Sequence, residues 1–254
     1  MGVDIVDMVD IMSGRDQIES NPGEGSVTLR ERALGKIKAK ILEARPGDFV
    51  SEKALARSLN ISRTPVREAL HQLASQGLVN RVPHVGSFVA HLTPRIVREI
   101  MEVREALEGR AAGLAAGKMP LSEYEALKDK LGASLQVQDP HARHEAMEIA
   151  GHAVHAAVLK LAGNHRITKG IEDLRDQIYR VQTFAIGLPG RMEQSHREHE
   201  AILEAVHVGE SRRAEWAMRD HLEGTKSTLL AQLMEDHSGD PNDSLREDRL
   251  ASHA

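Results

Sequence analysis

The stretch LNISRTPVREALHQLASQGLVNRVPHVGSFVA, Leu59 to Ala90, decides the architecture of the N-terminal part of the chain. Ser62 suits a helix N-cap, and Pro65 falls in the first turn, where a missing N–H costs nothing. Val66, Ala69, Leu70 and Leu73 then recur at helical spacing and leave Arg63, Thr64, Arg67 and Gln72 on the opposite face. Gly77 ends the helix. Leu78–Arg81 and Ser87–Ala90 read as two short strands joined by a turn at Pro83-His84-Val85-Gly86. This pattern predicts the recognition half of a helix-turn-helix followed by a two-stranded wing, which makes duplex DNA the expected partner. A helix in the major groove can set Arg63 and Arg67, one turn apart, against guanine edges and Thr64 against other base edges. Lys53 is placed to fix phosphate, and Gly86 permits close approach to backbone or minor groove. Glu68 is expected to orient Arg67.

Upstream, Leu34, Ile37 and Ile41 share one face of a helix over 29–44, stopped by Arg45-Pro46-Gly47-Asp48. Ser51 caps a short second helix that carries Leu55 and Leu59, and Asn60-Ile61 turns the chain into the recognition helix. Residues 1–24 hold six acidic residues and one basic residue and read as a flexible leader.

Gly25 to Arg95 contains 12 Lys/Arg and 5 Asp/Glu, a local +7 in a chain of net charge -5, so the remainder carries -12. One basic segment in an acidic chain argues for a discrete DNA-reading module and against a general nucleic-acid coating protein. There is no cysteine, so neither a disulfide framework nor a thiolate metal site is available. No apolar run approaches a membrane span and no secretory leader opens the chain, so a cytoplasmic protein without a membrane partner is expected.

Beyond Thr93-Pro94 no strand pattern follows. Six helices are predicted at 95–117, 122–136, 140–162, 165–186, 191–207 and 210–235, with boundary signals at Thr93-Pro94, a Ser122/Glu125 capping box, Asp139-Pro140 and Pro189-Gly190. The chain has only six aromatic residues, so these helices must pack through Leu, Ile, Val, Ala and Met as an antiparallel bundle. The fold class is therefore mainly α: a winged helix over 25–92, a helical effector-binding and dimerisation domain over 93–235, and a flexible tail over 236–254.

Together, Pro46-Gly47, Leu55-Ala56, Ser62-Arg63-Thr64-Pro65-Val66-Arg67-Glu68-Ala69-Leu70, Gly77-Leu78 and the Gly86-to-Val89 wing resemble the GntR family of bacterial transcriptional regulators. The resemblance implies DNA contacts from Lys53, Arg63, Thr64, Arg67 and Gly86, and a homodimer on a pseudo-palindromic operator. Lys53 stands where some relatives have Arg, a position that then lacks a bidentate donor. The remainder resembles the FCD-type ligand-binding domain of the FadR-like branch, through Val103-Arg104-Glu105-Ala106-Leu107-Glu108, His155 with Ala162-Gly163-Asn164, Glu198-His199 with Ala201-Ile202-Leu203, and Ala217-Met218-Arg219-Asp220-His221-Leu222.

That resemblance implies a divalent metal held by an Asp and three histidines, here His155, His199 and His221. The departure is Gly151, which occupies the position of the Asp. Either three neutral imidazoles hold zinc or nickel without it, or the loss abolishes the site and leaves a polar pocket. His152 and His196 lie within reach to substitute. Restoring the carboxylate with Gly151→Asp should tighten the metal wherever helix packing tolerates it. Arg104 is a candidate clamp for the carboxylate of a small organic acid effector, in competition with a surface salt bridge to Glu108. Trp216 reads as a core or interface filler, and Asn164 as a helix cap. The function expected is an effector-controlled regulator, by resemblance a repressor. The alternatives are an architectural DNA-binding protein and a metal-dependent hydrolase, for which the sequence offers no placed general base.

Overall fold

A computed structural model describes residues 29–185 and 190–238. The leader (1–24), Pro189 at its helix boundary and most of the tail (236–254) lie outside the described residues. The chain divides into two compact units between Val89 and Ala90.

In the first unit, α1 (Leu29–Glu43), α2 (Glu52–Leu59) and α3 (Arg63–Ser75) surround a core of Ile37, Ile41, Ala56, Val66, Ala69, Leu70 and Leu73, with Leu78, Val79 and Val89 closing it from the wing. The apolar stripe read from the α3 sequence is thus the buried face of that helix. Ser51 Oγ accepts from Ala54 N (3.2 Å), while Asn60 caps the end of α2 in the left-handed region (φ 52°). Ser62 holds the N-cap position of α3 without a side-chain hydrogen bond, and Gln72, expected outward, is half-buried.

The wing strands are β2 (Val79–Val82) and β3 (Gly86–Val89), antiparallel with Arg81 opposite Ser87. A strand unforeseen in the sequence, β1 (Phe49–Val50), pairs with the other edge of β3, so the sheet has three strands in the order β1-β3-β2. Two residues are too few to show a period-2 signal. The turn places His84 at φ 61° and Gly86 at φ 145°. A Cβ at Gly86 would lie 2.5 Å from the Phe49 ring, so the close approach this glycine allows is, in the protein itself, that of Phe49.

The second unit holds α4 (Pro94–Ala115), α5 (Leu121–Leu135), α6 (Pro140–Ala162), α7 (His165–Ala185), α8 (Arg191–Val208) and α9 (Ser211–Ser238). The fold is mainly α with a six-helix bundle, as expected. Helix α4 packs against α9, α6 and α7, and α8 bridges α9 and α6. Their buried faces carry Val97, Ile100, Met101, Val154, Val158, Ile202, Leu203, Met218 and Leu222. Thr93 Oγ1 caps α4 through Ile96 N (3.3 Å), Asp139 caps α6 through Ala142 N (2.8 Å), and Asn164 Oδ1 accepts from Arg166 N and Ile167 N at the start of α7. The Ser122/Glu125 capping box does not form. Pro120 occupies the N-cap, and Ser122 therefore lies inside the helix. Helix α9 continues past 235 to Ser238, and Trp216, at 65% exposure, is no core filler.

Candidate metal centre and DNA-reading face

On the first unit, Arg63, Thr64 and Arg67 stand exposed on α3, and Lys53 stands exposed on α2. Arg67 is oriented by Glu52 rather than by Glu68: its Nε and Nη2 both donate to Glu52 Oε2 at 3.4 Å. The Arg67 side chain is 59% exposed, so the pair holds the guanidinium loosely and leaves it free to exchange partners on DNA. Arg81 of the wing contacts His71 of α3, joining strand to helix.

Inside the second unit, three imidazoles from three helices meet. His155 comes from α6, His199 from α8 and His221 from α9, all buried, with their ligand atoms within 4.8 Å of one another. His155 Nε2 lies 3.1 Å from His199 Nε2 and 3.3 Å from His221 Nε2. For His155 and His221 a carboxylate on the far side of the ring fixes which nitrogen carries the proton. His155 Nδ1–H donates to Glu108 Oε2 (2.5 Å) and His221 Nδ1–H to Glu198 Oε2 (2.7 Å), whereas His199 Nδ1 lies 3.4 Å from Ser195 Oγ, a hydroxyl that can donate or accept. The Nε2 lone pairs of His155 and His221 therefore face inward beside the Nε2 of His199, and a cation there can take all three. A tetrahedral zinc with bonds of about 2.0–2.1 Å spreads its nitrogen ligands about 3.3 Å apart, close to the spacings observed. The residues present fit a divalent ion, and His155, His199 and His221 would hold it. Supplied there, the ion offers a Lewis-acidic position to an anionic ligand.

Each carboxylate behind a histidine is itself clamped by an arginine. Arg104 Nε donates to Glu108 Oε1 (2.7 Å), and Arg191 donates to Glu198 through Nη1 (3.1 Å) and Nη2 (2.7 Å). Arg191 also reaches Thr225 Oγ1 at 2.6 Å and the His221 carbonyl at 3.3 Å. Two Arg–Glu–His relays thus run inward from α4 and α8, orienting His155 and His221 and raising the basicity of the nitrogens that face inward. Burial works to raise the Glu108 carboxyl, but Arg104 and His155 outweigh it and hold the group well below the usual carboxylate range. Burial lowers His155, partly opposed by Glu108. Burial also lowers His199 and His221, reinforced by the neighbouring imidazoles, well below 6.5. All three rings are consequently neutral, ligand-ready bases at pH 7.

A cavity of about 80 Å³ opens on the cluster, and its walls include Arg104, Glu148, Gly151, His152, Arg191 and Ser195. Arg104 lines this cavity, but the salt bridge foreseen at the surface is buried, with side chains only 4% and 2% exposed. His196 points elsewhere, with Nε2 3.7 Å from Glu200. Gly151 faces the metal centre: a Cβ there would lie 2.6 Å from His199 Cε1. A carboxylate at 151 therefore requires the His199 ring to shift. Gly151→Asp is expected to displace that ring and to lower the stability of the metal-free protein by about 1–3 kcal/mol, as overpacking does. Chelated protein melted beside wild type checks this, and equal melting temperatures would show that the ring yields freely.

Sequence reading picked out the three clustered histidines but not Glu108, Glu198, Arg191 or Ser195 as parts of the site. Glu108 was visible only as a local partner of Arg104. Its histidine lies 47 positions away, and no local spacing announces that.

Residues 29–89 match the bacterial regulatory proteins of the gntR family, and residues 99–224 match the FCD domain. An "Uncharacterized HTH-type transcriptional regulator in unstable DNA locus" from Streptomyces ambofaciens is 31% identical over 186 residues, covering 71% of this chain and 75% of the relative. The chain belongs to the GntR family. A "Probable D-xylose utilization operon transcriptional repressor" of Paenarthrobacter nicotinovorans is 29% identical, over 69% of this chain and 76% of that one. Among solved structures, E. coli McbR/YncC has the same fold, with a TM-score of 0.64 at 21% identity over 81% of this chain and 99% of that one. The protein is a GntR-family DNA-binding regulator with an FCD-type C-terminal domain and a buried three-histidine cluster capable of holding a divalent metal. Among the described residues, no helix is long and apolar enough to cross a membrane.

Proposed function

We propose that this GntR-family protein is a transcriptional repressor of the FadR-like branch, working in the cytoplasm as a homodimer on a two-fold operator. Its DNA affinity is set by a small organic acid bound beside a zinc or nickel ion on His155, His199 and His221. The observation that carries this reading is the pairing of an exposed, arginine-bearing recognition helix with a buried centre of three inward-facing imidazole nitrogens beside a cavity. All-imidazole ligation favours zinc or nickel over magnesium, and the D-xylose operon relative, itself described as a repressor, supports the direction of regulation. Arg104, at the cavity wall, is the cation proposed to meet the acid's carboxylate, with Arg191 on the same wall. In the winged-helix unit, Arg63, Thr64 and Arg67 read base edges, and Lys53 and the wing at Gly86 hold the backbone.

The test is a titration of wild type and Arg67→Ala against an operator selected from genomic fragments, its half-site and a scrambled duplex, at one salt concentration, with and without candidate acids. Wild type is expected to bind the full site as two chains and far more tightly than the half-site, because one winged helix reads too few bases for high specificity. Arg67→Ala is expected to lose about 1–3 kcal/mol of discrimination between operator and scrambled duplex. Equal affinity for full site and half-site refutes the two-fold arrangement, and an unchanged specificity ratio removes Arg67 from base reading. If no acid alters operator affinity, the bundle is structural.

A further inference from the structure

With glycine at position 151, three neutral histidines bring no negative charge to a divalent ion. The two carboxylates behind them, Glu108 and Glu198, are already balanced by Arg104 and Arg191. One further carboxylate lies on the cavity wall. Glu148 is one helical turn before Gly151 and two turns before His155 on α6, and all three residues line the same cavity. Its side chain is nine-tenths buried (9% exposed), and the imidazole Nε2 of His152 lies 3.6 Å from its Oε1. Glu148 Oε1 and His152 Nε2 are both buried without a hydrogen-bond partner. A buried carboxylate oxygen with no donor is costly, and natural folds rarely leave one so unless something else meets it.

We propose that Glu148 is the anion of this metal centre, taking from the preceding turn of α6 the charge-balancing role that position 151 has lost. The inference rests on the metal reading above. A cation on the three histidines gives the Glu148 carboxylate a full positive charge to face, beyond the imidazole of His152. In return the carboxylate would offset one of the ion's two charges. A centre so balanced keeps a single net positive charge, which suits a monoanionic acid.

Zinc affinity, measured on the full chain by competition with a chromogenic chelator, and the visible spectrum of the cobalt(II)-loaded protein test the assignment together. Glu148→Gln is expected to lose roughly 10–100-fold in zinc affinity, the scale on which groups outside the direct ligands act on bound metals, and to shift the cobalt bands. Glu148→Asp should recover part of the loss, and His152→Gln, which keeps the carboxylate, should stay near wild type. Melting of the chelated variants shows that each folds, and if Glu148→Gln does not, Glu148→Asp and His152→Gln carry the comparison. Unchanged affinity and spectrum in Glu148→Gln overturn the role of Glu148 alone. Equal losses in Glu148→Gln and His152→Gln assign the effect to packing and overturn it as well. A wild type that takes up no stoichiometric ion removes the metal reading and this inference with it.

Discussion

Truncating Glu108 to alanine is expected to cost the protein about 3–5 kcal/mol of folding stability, the range for breaking a buried ion pair from one side. The carboxylate is 2% exposed and serves two partners at once, Arg104 through Oε1 and His155 through Oε2. Its removal leaves the Arg104 guanidinium in the bundle interior with a weak contact to Met101 Sδ at 3.9 Å and releases the His155 ring. Much of the loss is the penalty of an uncompensated charge rather than the worth of the pair. Replacing both residues by apolar side chains, as in Arg104→Met with Glu108→Leu, should therefore recover a large part of it. Denaturant unfolding of the two variants and wild type checks the order. A single mutant within 0.5 kcal/mol of wild type, on the scale of ordinary surface changes, would show that water reaches Arg104. The sign with pH follows from Glu108 being held below its ordinary 4.5: its contribution is complete above that value and is lost as pH falls toward the lower folded value.

The recognition helix was legible because its physics is local: Val66, Ala69, Leu70 and Leu73 need only a period of 3.6 to declare the buried face. Cap residues were legible for the same reason at Ser51, Thr93 and Asp139, and failed at Ser122 because Pro120 starts its helix one residue earlier. Long-range pairing was not legible. β1 is two residues whose strand character exists only through β3, and the partner of Arg67 proved to be Glu52, fifteen residues away, instead of the adjacent Glu68. In the metal centre the histidines stood out as residue types matching a known arrangement, whereas the groups behind them are ordinary surface-like Glu and Arg residues until the bundle buries them. The fate of Gly151 was the least accessible, since it depends on a ring of α8 leaning over a turn of α6.

Zinc or nickel is expected to raise the stability of the wild-type protein by about 4 kcal/mol when free metal stands a thousandfold above its dissociation constant. For a helical unit of this size that is roughly 10 °C in melting temperature. His199→Ala should show little of this gain. The variant keeps His155 and His221 with their carboxylates but loses one of three converging nitrogens, and two neutral imidazoles hold a divalent ion poorly. Acid separates the binding term from the folding term. The buried histidines lie below 6.5 in the folded protein, so beneath that pH the unfolded chain binds more protons, and the stability of the metal-free protein falls as pH drops from about 6.5. The same depression keeps the rings unprotonated in the fold at pH values where free histidine is charged, so the metal-dependent gain should persist below pH 6.5 and vanish only as the folded rings titrate. Melting curves of chelated and reloaded wild type and His199→Ala between pH 8 and pH 5 supply both readouts. A gain of equal size in His199→Ala would place the ion elsewhere, and a gain already lost at pH 6.5 would mean that the three rings are not shielded as their burial requires.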